Sequence, residues 1–101
     1  MIKHIVMWTI KEGETSRMKF ERMAEVKARL MELKSKVSVI ASLEVFFNSP
    51  LAPQDNFDVV LVCEFNTWAD LEQYKIHPHH VEVAAYINNV RQNRAAIDFE
   101  F

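Results

Sequence analysis

Apolar and polar positions along the chain follow two periods, and the switches between them mark the elements. Residues 3–10 alternate: His4, Val6, Trp8 and Ile10 point one way, Lys3, Ile5, Met7 and Thr9 the other, and the β-branched content argues for a strand. Glu12-Gly13-Glu14 makes a turn around the only glycine, and Thr15 or Ser16 caps the helix that follows. There the period becomes three and four. Phe20, Met23, Val26, Leu30, Leu33 and Val37 form one stripe of a helix reaching about Lys36, with Lys, Arg and Glu opposite. A second strand at 39–47 and a third at 57–65 flank a loop, Asn48 to Asn56, that carries two prolines. In the third strand Phe57, Val59, Leu61, Cys63 and Phe65 share a face, while Val60 and Val62 lie between Asp58 and Glu64 on the other.

Asn66 to Asp70 opens a second helix, with Thr67 and Asp70 at capping-box spacing. Leu71 and Tyr74 follow one helical step apart, so both face the sheet. Pro78 has no backbone N–H and excludes helical geometry from His77, so the helix must break there. Val81, Ala84, Ala85, Ile87 and Val90 make a further helical piece ending near Asn93. A last strand turns Ile97, Phe99 and Phe101 inward and Asp98 and Glu100 outward.

Strand, helix, two strands, helix, strand is the α+β, ferredoxin-like βαββαβ arrangement, a four-stranded antiparallel sheet with helices on one face, here a single domain over 1–101. The other face poses a problem. Ile5, Met7, Val60 and Val62 cannot share a face with His4, Val6, Val59 and Leu61, so both faces are apolar and something must cover the second. A second copy packed sheet to sheet is the simplest cover, gaining about 25 cal/mol per Å² of apolar area. The expectation is a homodimer; an unrelated protein or lipid would be the alternative.

Composition narrows the partners. A chain of 101 residues, half of them hydrophobic, forms one small core, and a formal net charge of −2 with scattered Lys and Arg argues against nucleic acid. Cys63 is alone, which excludes an internal disulfide and a Cys-based zinc cage; in its apolar run it reads as a buried hydrophobe. With no signal-peptide pattern and no apolar run of membrane length, the expectation is a cytoplasmic protein that does not engage a membrane.

The candidate chemistry is concentrated in Tyr74-Lys75-Ile76-His77-Pro78-His79-His80, which holds three of the four histidines. Tyr74 and His80 lie six apart and can converge only if the chain bends between them, which Pro78 supplies. A neutral imidazole can remove a proton near pH 7, and a phenolic hydroxyl can donate to the enolate oxygen that results. His77, His79 and His80 are too tightly spaced to share one ion, so no metal is expected. The structural alternative has Tyr74 as a core aromatic, His77 as a helix cap, and His79 and His80 solvated.

Lys3-His4-Ile5-Val6, Tyr74-x-x-His77-Pro78-x-His80-Val81 and Ile97-Asp98-Phe99 together resemble the stress-responsive A/B barrel domain family over essentially the whole chain. The resemblance implies a ferredoxin-like protomer whose sheet pairs with its twin's in a dimeric α/β barrel. A plant cyclase of the family carries out a cofactor-free aldol cyclisation of a polyketide thioester. By motif, Tyr74 and His80 take the places of its substrate-binding tyrosine and its base, making them the catalytic candidates. His77 matches the motif's first histidine and His4 a pocket histidine. Val59 stands where that cyclase has a polar pocket residue, and His79 where it has a small one.

The ligand-binding candidates are therefore His4, Trp8, Val59 and His77, no cofactor is expected, and the ligand class is a small apolar or aromatic carbonyl compound. Two other readings stand beside this one: a non-enzymatic stress or structural dimer, and a cofactor-free monooxygenase or isomerase of a related dimeric barrel.

Overall fold

The computed structural model describes residues 1–101. Strand β1 (Ile2–Ile10) is followed by α1 (Ser16–Lys36), β2 (Ile40–Phe47), β3 (Val59–Phe65), α2 (Trp68–Ile76), α3 (Pro78–Val90) and β4 (Arg91–Glu100). The strands form one antiparallel sheet in the order β2-β3-β1-β4, the ferredoxin-like arrangement. No helix is long and apolar enough to cross a membrane.

Local chemistry starts α1 and α2 where the sequence places them. Thr15 caps α1, its hydroxyl accepting from the Met18 amide, and Thr67 caps α2 by accepting from the Asp70 amide. The β2–β3 loop is closed by its own polar groups, with the Gln54 side chain donating to the Ala52 carbonyl at 2.6 Å. Its end is anchored by Asp58, whose carboxylate accepts from the Ile10 amide at 2.7 Å and pairs with Lys19 at 3.3 Å.

The register decides which side chains share a face. His4 lies opposite Cys63, and Val6 opposite Leu61, on the face covered by helices; Ile5 opposite Val62 and Met7 opposite Val60 lie on the other. The first set is buried, together with Met23, Val26, Leu30 and Leu33 of α1 and Leu71 and Tyr74 of α2. The second set is only half-buried in the protomer. It continues into Phe46 of β2 and Ile97 and Phe99 of β4, which are 52%, 59% and 37% exposed.

Four expectations are corrected. Phe20 is 70% exposed, because Lys19 takes the sheet-facing place at that turn to reach Asp58 and Glu12. In α3 the buried positions are Val83 and Ile87, four apart; Val81 and Ala85 fall off that stripe and are exposed. Strand β4 begins at Arg91 rather than beyond Asn93, since the Arg91 amide closes α3 on the Ile87 carbonyl and the chain pairs with β1 at once. Its faces are also the reverse of those expected. Ile97 and Phe99 pair in register with Ile5 and Lys3 on the open face, whereas Asp98 lies opposite His4 on the helix side. The helices pack on β1, β2 and β3 and leave the edge strand β4 largely uncovered, so acidic side chains there keep access to water.

Candidate functional site

The helix break is built from two histidines and a proline. His77 adopts φ −63°, ψ 134°, the extended geometry required before proline, and Pro78 occupies the first turn of α3. A continuous helix would bond the amide of residue 79 to the carbonyl of residue 75. Here the His79 amide donates instead to Nδ1 of His77 at 3.2 Å, so the Lys75 carbonyl is left without that partner. His80 occupies the vacancy: its Nδ1 lies 3.0 Å from the Lys75 oxygen. A carbonyl oxygen can only accept, so Nδ1 must carry the proton, and in the neutral ring Nε2 holds the lone pair.

Between α1, α2, α3 and the sheet lies a part-open cavity of about 130 Å³, mostly apolar, whose wall includes His4, Trp8, Tyr74 and His80. It is close in size to an engineered cavity of roughly 150 Å³ that takes benzene. Tyr74 is 1% exposed and its hydroxyl has no hydrogen-bond partner. Its ring centroid sits 4.3 Å from that of His80, 5.1 Å from Phe65 and 6.0 Å from His4. On the sheet side, His4 Nδ1 lies 2.5 Å from Oδ1 of Asp98, which fixes the His4 ring and places its proton on Nδ1.

Burial holds both His4 and His80 below the ordinary imidazole pKa. For His4 it outweighs the hydrogen bond and charge of Asp98; for His80 it outweighs the bond to the Lys75 carbonyl, and Arg94 pushes the same way at both rings. Burial also raises the Tyr74 phenol, keeping it protonated and able to donate. The Cys63 thiol, fully buried, is pushed up to about 12 and is inert as a nucleophile.

Of the candidates from sequence, the cavity brings together His4, Trp8, Tyr74 and His80. Val59 is buried but lies outside the cavity wall, where the neighbouring strand position Leu61 stands instead. His77 is also outside; its Nδ1 serves as the cap of α3 and its ring stacks on His79 at 5.4 Å. Three polar residues of the site escaped the sequence reading: Asp98, Asn88 and Arg94. Asn88 lies eight residues from His80 on the same stripe of α3, a polar position on an otherwise apolar face. Arg94 lies opposite Trp8 in the β1–β4 register. No group of three or more His, Cys, Asp or Glu side chains is arranged to hold a metal ion.

A family model described as Stress Responsive A/B Barrel Domain (Dabb) matches residues 2–101. The chain belongs to that family. Among solved structures, this A/B barrel chain is similar to a dimeric protein of unknown function and ferredoxin-like fold from Bacteroides fragilis. The two are 30% identical over 99% of this chain and 95% of that one, with a TM-score of 0.88. A dimeric ferredoxin-like protein of unknown function from Thermobifida fusca is 21% identical over 99% and 90%, with a TM-score of 0.84. The hydroxynitrile lyase of Passiflora edulis is 16% identical over 97% and 90%, with a TM-score of 0.80. The last two show the A/B barrel fold alone. No curated protein matches the chain in sequence.

The lowered histidines give stability a pH dependence of defined sign. Because the native pKa values lie below the 6.5 of the free side chain, the unfolded chain takes up protons first on acidification. Their contribution is complete above 6.5 and is lost as pH falls from there toward the native values. Urea unfolding from about pH 7.5 to about pH 5.5 should therefore show a falling free energy, less steep in His80→Gln. A flat profile, or equal slopes for the two proteins, would contradict the assignment.

Proposed function

We propose that the chain works as a homodimer whose cavity binds a small apolar or aromatic carbonyl compound and moves a proton on it without a cofactor. The observation that carries this is the pairing, in one cavity wall, of a buried phenol with no partner and a histidine whose Nδ1 is committed to a carbonyl. A buried hydroxyl left unpaired costs about 1–3 kcal/mol, and a ligand oxygen would relieve that cost. The Tyr74 hydroxyl donates to the ligand's carbonyl oxygen, and Nε2 of His80 takes a proton from the adjacent carbon. The C–H electron pair then becomes the enolate, whose oxygen charge the Tyr74 hydrogen bond strengthens to meet. Return of the proton from Nε2 to another atom completes an isomerisation; attack of the enolate carbon on a second carbonyl breaks its C=O π bond, and the alkoxide formed takes the proton back from Nε2 to complete an aldol cyclisation.

The proposed assembly uses the open sheet face, where Ile5, Met7, Phe46, Val60, Val62, Ile97 and Phe99 make a contiguous apolar surface of the kind that marks an interaction site. The Bacteroides fragilis and Thermobifida fusca proteins of the same fold are dimers. Light scattering at micromolar concentration should give about twice the 11.8 kDa chain mass, and a monomer would sink the dimer.

The chemistry is tested in D₂O with acetophenone. Wild type should raise the ligand's methyl exchange rate and gain melting temperature from it, and His80→Ala should exchange about 100-fold more slowly or worse. Tyr74→Phe should lose the ligand-dependent gain while its own stability holds or rises, since the change removes an unsatisfied polar group. Equal ligand stabilisation of all three proteins would place the site elsewhere.

A further inference from the structure

The mouth of the cavity carries a cation with no counter-charge. Arg94 is exposed, lines the cavity from β4, and has neither a carboxylate within salt-bridge distance nor any hydrogen-bond acceptor. The acids that share its face of β4 are already engaged: Asp98 with His4 at 2.5 Å, and Glu100 with the indole N–H of Trp68 at 2.7 Å. Across the mouth stands Asn88 of α3. Its side-chain oxygen accepts from Nε of Arg91 at 3.0 Å, which orients the amide and leaves its NH₂ group as a free donor. The rim therefore offers a guanidinium and an amide donor, and the inner wall includes Tyr74, whose buried hydroxyl has no partner.

We infer that the cavity selects small oxo-carboxylic acids: the carboxylate sits on Arg94 and the Asn88 amide at the rim, the carbonyl meets Tyr74, and a body of about one ring fills the apolar interior. This rests on the carbonyl-binding reading above and adds the charge of the substrate to it. A planar guanidinium suits a carboxylate because it presents two parallel N–H groups, and such charge-assisted bonds are about twice as strong as neutral ones. The cation serves the chemistry as well. After burial, which is the larger cause, its charge also helps hold His4 and His80 below the ordinary imidazole pKa, which favours a neutral ring as the proton acceptor.

The test compares benzoylformate with two neutral counterparts, benzoylformamide and acetophenone, by calorimetric or NMR titration of the full chain. Wild type should bind benzoylformate at least about tenfold more tightly than the amide, with added salt weakening only the acid. Arg94→Gln should bring the acid and the amide to within about twofold of each other, while Arg94→Lys should keep part of the preference. If the amide binds wild type as tightly as the acid, or if Arg94→Gln preserves the preference, selection by Arg94 is overturned although the carbonyl site stands. If acetophenone and both benzoyl compounds fail to bind wild type, the carbonyl site falls and selection by Arg94 with it.

Discussion

The hydrogen bond from His80 Nδ1 to the Lys75 carbonyl is the contact on which the site depends. It exists because the helix fails. Pro78 has no N–H to give the Tyr74 carbonyl, which is met instead by the His77 amide at 3.2 Å. The His77 ring then draws the His79 amide toward itself, and the Lys75 oxygen is left for an imidazole one residue further on. Three backbone groups, the carbonyls of Tyr74 and Lys75 and the amide of His79, are thus satisfied by substitutes, and the side effect is a histidine with a fixed ring and a fixed tautomer. His77 does this from outside the cavity, so its place in the motif is that of a positioning residue.

The second constraint is the two-residue period of the strands. It sends His4, Val6 and Trp8 to the helix side and Ile5 and Met7 to the open side, and no local adjustment can mix the sets. Covering one face with helices builds the cavity; leaving the other bare exposes the apolar surface proposed to take a second copy. Ala84 and Val83 of α3 line the cavity together with Val6 and Leu61 of the sheet, and side chains of that size leave it unfilled. A better-filled interior would be more stable, and it would have no room for a ligand.

Element order and the core faces were legible in the sequence because period and capping agree: Thr15 and Thr67 cap where expected, and Met23, Val26, Leu30 and Leu33 face inward. That Tyr74 and His80 converge was legible for a different reason, the proline placed between them. The misreadings at Phe20 and Val81 arose where a residue's hydrophobicity was taken as proof of burial, although helix rotation is set by the whole stripe. Strand β4 was misread because apolar residues were assigned to the helix side by default. On an edge strand that the helices do not cover, the open face held the apolar set, and Asp98 and Arg94 fell to the cavity side. His77 was legible in one of its two readings: the motif placed it with the ligand, the structural alternative made it a helix cap, and its ring nitrogen does cap α3.

The most direct test of this picture is the tautomer of His80, read from ¹⁵N chemical shifts of the ring nitrogens in uniformly labelled protein at neutral pH. The expected spectrum has Nδ1 protonated and Nε2 unprotonated, with the pair changing only below the ordinary imidazole pKa. A proton on Nε2 at neutral pH, as the other tautomer or as imidazolium, would contradict it, because the nitrogen assigned to accept the substrate proton would already hold one.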